Sequence, residues 1–318
     1  MTGDRLTFVL TLALSNTGRD DLDLQRFRLL LASLHRYLDR DSLEKLIVVS
    51  PGKDLLAIQD AASASLSSLR IELLDEADIC PEFKADPDTL NSWPRPNTGW
   101  FRQQLVKLAV HDRVTTPFYM TLDSDVLFVR DFAVGALFPG GKAALNVQTA
   151  EDFNRLYSVS KAKHEVKVRV ARYREAGQVL RLQRPEGYAH RWYGETPVLL
   201  NRQIVADLAS HVSQTWQLPW RRALLEKLPW TEYALYFLFA ESHGLLEACY
   251  QPGTADTLLR LSQSLWLPAE AYATPRGLSD WHPDEIFEVE REGVAVVVQS
   301  YLGYPVGEIA DKIGRFVR

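Results

Sequence analysis

The chain has 318 residues, of which 46% are hydrophobic, and a formal net charge of −5. This length and composition support one large core or two lobes that share a sheet. The negative charge argues against a general nucleic-acid-binding protein, because such proteins need a basic surface for the phosphate backbone. Cys80 and Cys249 are the only cysteines and have no CxxC spacing, so they indicate neither a disulfide framework nor a zinc site. We therefore expect a reducing, cytoplasmic location, and no apolar run approaches the ~20 residues needed to span a bilayer.

The first part of the chain alternates between strand-like and helix-like patterns. Short apolar runs predict strands at residues 6–14, 46–49 and 71–74, and apolar residues at helical spacing predict helices at 24–38 and 54–69. This order predicts an α/β fold in which right-handed helical crossovers join parallel strands. No GxGxxG follows the first strand and no Walker-type GxxxxGKS/T occurs, which argues against a standard dinucleotide fold and a P-loop kinase.

A helix is predicted at residues 99–112, after a proline-rich loop at 78–96. Asn97 and Thr98 are suited to cap it. The helix starts at the same sheet edge as the end of the next strand, and Lys107 lies about two turns along it. A lysine there can neutralise phosphate charge, although a solvated helix lysine fits the same spacing. His111 lies deeper, and we expect a structural role for it.

The next apolar run, residues 118–128, contains two carboxylates separated by one small residue, Asp123-Ser124-Asp125. It follows a Thr-Thr-Pro turn signal and predicts a buried strand of a mostly parallel sheet, which ends at the two carboxylates. Ligands bind beyond the carboxyl ends of such strands, and alternate strand residues point the same way. Asp123 and Asp125 are therefore predicted to hold Mg²⁺ or Mn²⁺ that carries a diphosphate, because both are hard oxygen ligands. An Asp-rich turn without a ligand is the alternative.

These features together resemble glycosyltransferases of the GT-A class. More narrowly, the chain is similar to uncharacterised bacterial glycosyltransferase families whose helix reads GWFRQQLVK, here residues 99–107. The resemblance implies a Rossmann-like, mostly parallel central sheet flanked by helices, with a mixed acceptor-side half. It also implies a UDP-sugar as donor and Mn²⁺ or Mg²⁺ as cofactor, with Asp123 near the donor ribose and Asp125 on the metal. The nucleobase would meet the end of the first strand, which consists of Leu14, Ser15 and Asn16.

Three later segments extend the resemblance. Residues 193–201 look like the strand that lines the sugar pocket, with Thr196 as a donor-binding residue. Residues 228–236 place Glu232 at a helix start, where the resemblance implies contact with the acceptor or the transferred sugar. Residues 296–305 look like a segment whose His-x-x-Gly motif completes the metal shell in retaining families. Here Ser300 stands at the histidine position, so the chain departs from that pattern, and ordinary strand or helix-cap chemistry is the alternative for all three segments.

The segment that begins at Lys161 and ends at Arg184 has eight lysines and arginines against two glutamates. A solvated face is the ordinary interpretation of such a run. The alternative is a basic flap that attracts an anionic acceptor or the inner membrane face, because the rest of the chain is acidic. Aromatic residues of the second half favour a sugar-binding lobe, since rings stack on sugars. These residues are Trp216, Trp220, Trp230, Trp266 and Trp281.

We predict one continuous GT-A domain, with a nucleotide-sugar-binding half at residues 1–145 and an acceptor-binding half at 146–318. The predicted reaction moves a sugar from the nucleoside diphosphate donor to the hydroxyl of a saccharide or lipid-linked acceptor, in surface polysaccharide or glycolipid synthesis. Lys107 would contact the donor phosphates, and Glu232 would deprotonate the acceptor if the enzyme inverts.

Three alternatives stay open. A sugar-phosphate nucleotidyltransferase shares the fold class, but usually carries a Gly-rich loop after its first strand. A phosphoaspartyl phosphatase needs its Asp-x-Asp motif near the N-terminus and a threonine where Leu127 stands. A non-catalytic sugar-binding relative would bind the donor without turning it over.

Overall fold

The computed structural model describes residues 5–14, 20–63, 65, 68–85, 98–183, 191–227, 229–288 and 292–317. Its strands are β1 Leu6–Thr11, β2 Leu43–Ser50, β3 Ile71–Asp75, β4 Phe118–Leu122, β5 Val126–Phe128, β6 Ala143–Leu145, β7 Val147–Gln148, β8 Trp192–Tyr193, β9 Val198–Asn201, β10 Tyr250–Pro252 and β11 Ala295–Val297. Its α-helices are α1 Asp20–Tyr37, α2 Leu55–Ala62, α3 Glu76–Ile79, α4 Glu82–Ala85, α5 Thr98–Ala109, α6 Ala150–Leu156, α7 Val159–Val179, α8 Arg202–Trp216, α9 Trp220–Glu226, α10 Glu232–Ser242, α11 Leu246–Cys249, α12 Pro283–Phe287 and α13 Val306–Val317.

The central sheet has the strand order β3-β2-β1-β4-β9. β1 pairs in parallel with both β2 and β4, and β2 pairs in parallel with β3. β9 adds to β4 in the antiparallel direction. β1 is buried along its whole length, as expected for an apolar strand at the centre of a covered sheet. The predicted fold class, an α/β structure with a mostly parallel central sheet flanked by helices, is confirmed.

The predicted strand does end at the two carboxylates, but the expectation that Asp123 and Asp125 point the same way as alternate residues of one strand is wrong. β4 ends at Leu122, a turn holds Asp123, Ser124 and Asp125, and β5 starts at Val126. β5 leaves the central sheet and pairs antiparallel with β11. The two carboxylates therefore do not share a strand face. The turn places them, because small and acidic residues favour turns over an extended strand interior.

Other boundaries also differ from the sequence-based expectations. The helix predicted at 54–69 ends at Ala62, where the chain becomes rich in serine, whose hydroxyl competes with helical backbone hydrogen bonds. The region predicted as a loop at 78–96 contains part of α3 and all of α4. The proposed capping residue Asn97 lies outside the described residues, as does the side chain of Thr98.

One hydrophobic core extends through the described chain. It joins β1 and α1 of the first half to α8 and α10 of the second, with Phe8, Phe128 and Phe132 forming a stack of rings 5.1–6.2 Å apart. A smaller cluster lies between α12, α13 and β11. None of the described helices combines the length and apolar character needed to cross a bilayer. The predicted division into halves at residue 145 stays a prediction.

His111 follows α5 in a buried position, as expected for a structural residue. Its Nδ1 lies 3.0 Å from the carbonyl oxygen of Leu108, and its Nε2 lies 3.2 Å from Asp112. Burial lowers the pKa of His111 from its usual 6.5, because a charged imidazolium loses hydration there, and nearby Asp112 offsets only part of this effect.

This pKa shift makes stability depend on pH in one direction. The folded chain keeps His111 neutral, whereas the unfolded chain binds a proton near pH 6.5. The stabilisation is therefore complete above pH 6.5 and is lost as the pH falls below it. We expect His111→Gln to lose less free energy of unfolding than the parent between pH 7 and pH 5.5, by on the order of 1 kcal/mol. Urea unfolding at the two pH values measures this difference. Identical pH profiles for parent and variant would contradict the expectation.

Candidate active site

A cleft of about 740 Å³ opens at the carboxyl ends of β1 and β4. Parallel pairing of these neighbouring strands brings Thr11 and Asp123 to one edge of the sheet. The remaining walls come from α5, α7, the start of α10 and the segment after β11. This is the edge at which open α/β sheets generally bind ligands.

Asp123 is held from two sides. Its Oδ1 lies 2.9 Å from Lys107 Nζ, and its Oδ2 accepts a 2.8 Å hydrogen bond from Thr196 Oγ1. Thr196 reaches Asp123 because β9 pairs antiparallel with β4, so the residues just before β9 lie beside those just after β4. The structure thus brings together Asp123, Lys107 and Thr196, all of them predicted site residues.

Lys107 is buried between two carboxylates. Besides Asp123, its Nζ contacts Glu232 Oε1 at 3.2 Å and lies 5.4 Å from the ring centroid of Tyr233. Burial by itself lowers the pKa of this ammonium, but Asp123, Tyr233 and Glu232 outweigh it and raise the pKa of Lys107 well above its ordinary value. Lys107 therefore stays charged, as the counter-ion of both acids. Its predicted contact with donor phosphates stays a prediction.

Glu232 begins α10, as the sequence predicted, and is buried beside the cleft. Its backbone N–H donates a 3.1 Å hydrogen bond to Gln104 Oε1, one helical turn from Lys107 on α5. A helix N-terminus favours a carboxylate, which would lower its pKa. The effect of burial is larger than that of the helix N-terminus and raises the pKa of Glu232, while the Lys107 ammonium opposes the rise. Glu232 therefore has a higher proton affinity than an ordinary helix-start glutamate.

Asp125 is held by the segment after β11. The antiparallel pairing of β5 and β11 brings Ser300 to it, and the Ser300 backbone N–H donates a 3.0 Å hydrogen bond to Asp125 Oδ2. Burial and the neighbouring Asp123 charge raise the pKa of Asp125 to about 7, against the opposing effects of the Ser300 hydrogen bond and Arg26. This corner of the cleft thus lacks enough positive charge for its two carboxylates.

The residues of this corner fit a divalent cation that takes most of its ligands from elsewhere. The Asp125 carboxylate interacts with backbone N–H groups, which leave lone pairs on its oxygens. Both oxygens of Asp123 likewise keep lone pairs beyond their contacts with Lys107 and Thr196. Within the described ranges no group of three His, Cys, Asp or Glu side chains is placed to hold a metal. A cation here would use the two aspartates plus water and substrate oxygens, as Mg²⁺ commonly does.

The basic segment forms α7 as far as Val179, and only part of its charge faces solvent. Lys161, Arg169 and Arg172 line the cleft, whereas Lys163, Lys167 and Arg174 are exposed. Arg169 pairs with Glu195 across the cleft wall, and Lys161 pairs with Glu165 at 2.8 Å. Arg184 lies outside the described residues. The prediction of membrane contact through this segment stays a prediction.

The end of β1 lines the cleft, but through other residues than predicted. Thr11, Leu12 and Ala13 form its wall, while Leu14 is buried and donates its backbone N–H to Asp54 Oδ2 at 3.0 Å. The other two predicted nucleobase contacts, Ser15 and Asn16, lie outside the described residues.

Aromatic residues at the cleft differ from those emphasised in the sequence. Of the five tryptophans singled out there, only Trp266 lines the cleft, and Trp230 and Trp281 are buried elsewhere in the fold. Trp100 and Trp192 line it instead. Composition alone could not separate these groups, because large buried cores and sugar platforms use the same side chains.

Tyr233 and Glu195 lie in segments that the sequence singled out, but neither was predicted as a site residue. Tyr233 places its hydroxyl 3.1 Å from Thr196 Oγ1 and 2.8 Å from Thr121 Oγ1, and so supports the residue that holds Asp123. Glycine at position 194 leaves space for the Tyr233 side chain, because a Cβ atom there would lie 2.9 Å from Tyr233 Cβ. The backbone φ of 102° at this position also favours glycine. Glu195 meets Arg169 from a segment far along the chain. Such contacts can be recognised only in the folded structure, where the two chain segments lie side by side.

No curated protein matches the chain at a significant level. Among solved structures, the apo form of mouse xyloside xylosyltransferase 1 is similar, with 13% sequence identity, a TM-score of 0.49, and coverage of 95% of this chain and 100% of that one. The galactosyltransferase LgtC in complex with donor and acceptor sugar analogs has 10% identity, a TM-score of 0.45, and coverage of 98% and 96%. Both scores are below 0.5 and assign no reaction to this chain. The model of a family of unknown function, DUF6492, matches residues 4–318, and the chain belongs to that family.

Proposed function

We propose that this chain is a metal-dependent glycosyltransferase of GT-A type, which moves a sugar from a nucleoside diphosphate sugar to an acceptor hydroxyl. The observation that carries the proposal is the buried arrangement of Lys107 between Asp123 and Glu232 beside Asp125, at the ligand-binding edge of the sheet. It combines a pair of carboxylates suited to a divalent cation with a third, buried carboxylate in one cleft. Residues 1–145 would form most of the donor side and 146–318 most of the acceptor side.

Asp123 and Asp125 would hold the cation, for which Mn²⁺ and Mg²⁺ are the candidates. When bound, the cation supplies positive charge that stabilises the leaving diphosphate. Thr196 and Lys107 fix the Asp123 carboxylate, so its position does not depend on the substrate. The Ser300 backbone N–H similarly orients Asp125.

Glu232 would act as the general base. As the acceptor oxygen forms its bond to the anomeric carbon, its proton passes to the Glu232 carboxylate, and the sugar–phosphate bond breaks with its electron pair on the diphosphate. Lys107 favours the ionised form of Glu232 before that step, because its ammonium contacts Oε1. A raised pKa makes the carboxylate a better proton acceptor than a solvated glutamate. This route inverts the anomeric centre.

The donor would be a UDP-sugar, and the acceptor a saccharide or lipid-linked sugar of the kind used in surface polysaccharide or glycolipid synthesis. The cleft volume of about 740 Å³ lies within the usual range for small-molecule and cofactor sites.

Replacing Asp125 with asparagine tests the proposal directly. Asparagine keeps the shape and can still accept from Ser300, but it removes the charge that a divalent cation requires. We expect the Mn²⁺-dependent part of UDP affinity to fall about 100-fold or more in titration calorimetry, since even indirect partners of metal ligands contribute 10–100-fold. Asp131→Asn is the matched control, because that carboxylate is largely exposed and pairs with Arg36 on the surface.

Two outcomes would reject the proposal: a parent protein that binds no UDP with Mn²⁺, or an Asp125 variant with unchanged Mn²⁺ dependence. Donor binding by the parent without nucleotide release, across a panel of nucleotide sugars and acceptors, would instead identify a non-catalytic sugar-binding protein.

A further inference from the structure

The α7 wall of the cleft carries a cation without a carboxylate partner. Arg172 is partly buried and lines the cleft, and its guanidinium lies 5.9 Å from the ring centroid of Trp100. In the part of the chain that the structure describes, no hydrogen bond or ion pair joins this guanidinium to an acceptor. Burial and the neighbouring Arg169 both disfavour the charged form and lower the pKa of Arg172. An arginine nevertheless stays protonated in a protein.

The acidic residues around Arg172 already have partners. Glu195, Glu232 and Glu165 all interact electrostatically with it. However, Glu195 pairs with Arg169, Glu165 with Lys161, and Glu232 with Lys107. All three favour the charged form of Arg172 from a distance, but none of them forms an ion pair with it. A partly buried cation in this position is unfavourable unless something else provides the negative charge.

Two further donors on the same wall lack acceptors. Arg169 Nε and Trp192 Nε1 are buried, and neither has a hydrogen-bond partner among the described residues. Both side chains lie beside Phe153, whose ring centroid is 5.5 Å from that of Trp192 and 5.8 Å from the Arg169 guanidinium. Both residues line the cleft. The wall therefore offers N–H donors and positive charge together, which is the chemistry that recognises an oxyanion.

We propose that this wall is a subsite for an oxyanion, a carboxylate or phosphate, on the acceptor substrate, with Arg172 as its principal contact. The inference rests on the proposed function, since it assumes that an acceptor occupies this cleft. The position of Arg172 favours the acceptor over the donor diphosphate. Arg172 lies beside the Trp100 ring, in the first turn of α5. One turn along the same helix, Gln104 Oε1 accepts a hydrogen bond from the backbone N–H of Glu232, the candidate base.

Binding of small anions without donor or metal tests the subsite. The probes are inorganic phosphate and methyl β-glucuronide, with neutral methyl β-glucoside as the comparison, measured by ligand-observed NMR with a chelator present. We expect Arg172→Gln to weaken binding of the two anions by about 10-fold or more, the loss of one charge-assisted contact, and to leave the neutral glycoside unaffected. Arg172→Lys should retain part of the affinity, and Arg174→Gln, on the exposed face of α7, should behave as the parent.

The outcomes separate this proposal from the proposed function. Equal anion affinity for parent and Arg172→Gln, or no anion binding by the parent, overturns the subsite. An equally large loss of UDP affinity in Arg172→Gln assigns the oxyanion to the donor and overturns the acceptor assignment. Absence of Mn²⁺-dependent UDP binding in the parent overturns the enzyme proposal, whatever the anions do.

Discussion

Replacing Lys107 with methionine is expected to lower the free energy of unfolding by about 3 kcal/mol, the lower end of the range for breaking a buried ion pair. The variant keeps much of the side-chain volume but leaves Glu232 buried without its cation. Asp123 loses the same partner, yet a third of its side chain is open to the cleft, so water replaces part of that interaction. Urea unfolding at pH 8 would measure the loss, because burial raises the pKa of Glu232 and a high pH favours its ionised form.

A double variant identifies the cause of that loss. Lys107→Met combined with Glu232→Gln removes the buried uncompensated charge, and we expect it to recover a large part of the lost stability. Lys163→Met, on the exposed side of α7, is the control and should change stability by less than about 0.5 kcal/mol. A Lys107 variant as stable as the parent, but with weakened UDP binding, would contradict the counter-ion role and support phosphate contact instead.

Replacing Glu232 with glutamine is expected to reduce turnover by about 10²–10⁴-fold while leaving UDP affinity within a factor of a few. Glutamine preserves the shape of the side chain and can still contact Lys107, but it cannot take a proton from the acceptor. The measurement is single-turnover sugar transfer alongside UDP calorimetry. Glu241→Gln, farther along the same helix, is the control, since it contacts Tyr193 and lies outside the cleft lining.

The pH profile of the parent provides an independent check of the same role. A base works only when ionised, so turnover should rise with pH through the pKa of Glu232. That pKa is raised mainly by burial, and the midpoint should therefore lie above the usual 4.5. A product that retains the donor's anomeric configuration would exclude the general-base role. Parental turnover in the glutamine variant would exclude it equally.

From sequence alone, the fold class and the location of the candidate site could be predicted. The alternating strands and helices in the first part of the chain depend on residues that are close in sequence, so the spacing of apolar residues predicts them directly. The parallel sheet follows from that order, and the Asp123–Asp125 turn at a strand end follows from the sheet. The helix start at Glu232 was also predictable, because Pro229 and Trp230 precede an apolar helical run.

Only the tertiary structure decided how these residues meet. Thr196 reaches Asp123 through an antiparallel pairing of β4 and β9, and Ser300 reaches Asp125 through the pairing of β5 and β11. Neither pairing has a local sequence signature, because strand partners distant in the chain are selected by packing. The charge state of Lys107 and Glu232 depends likewise on burial beside carboxylates that lie far away in sequence. The sequence is compatible with a solvated or a phosphate-binding Lys107, whereas in the folded structure Lys107 is a buried counter-ion. The reason is that only the folded chain determines how much water each charge retains.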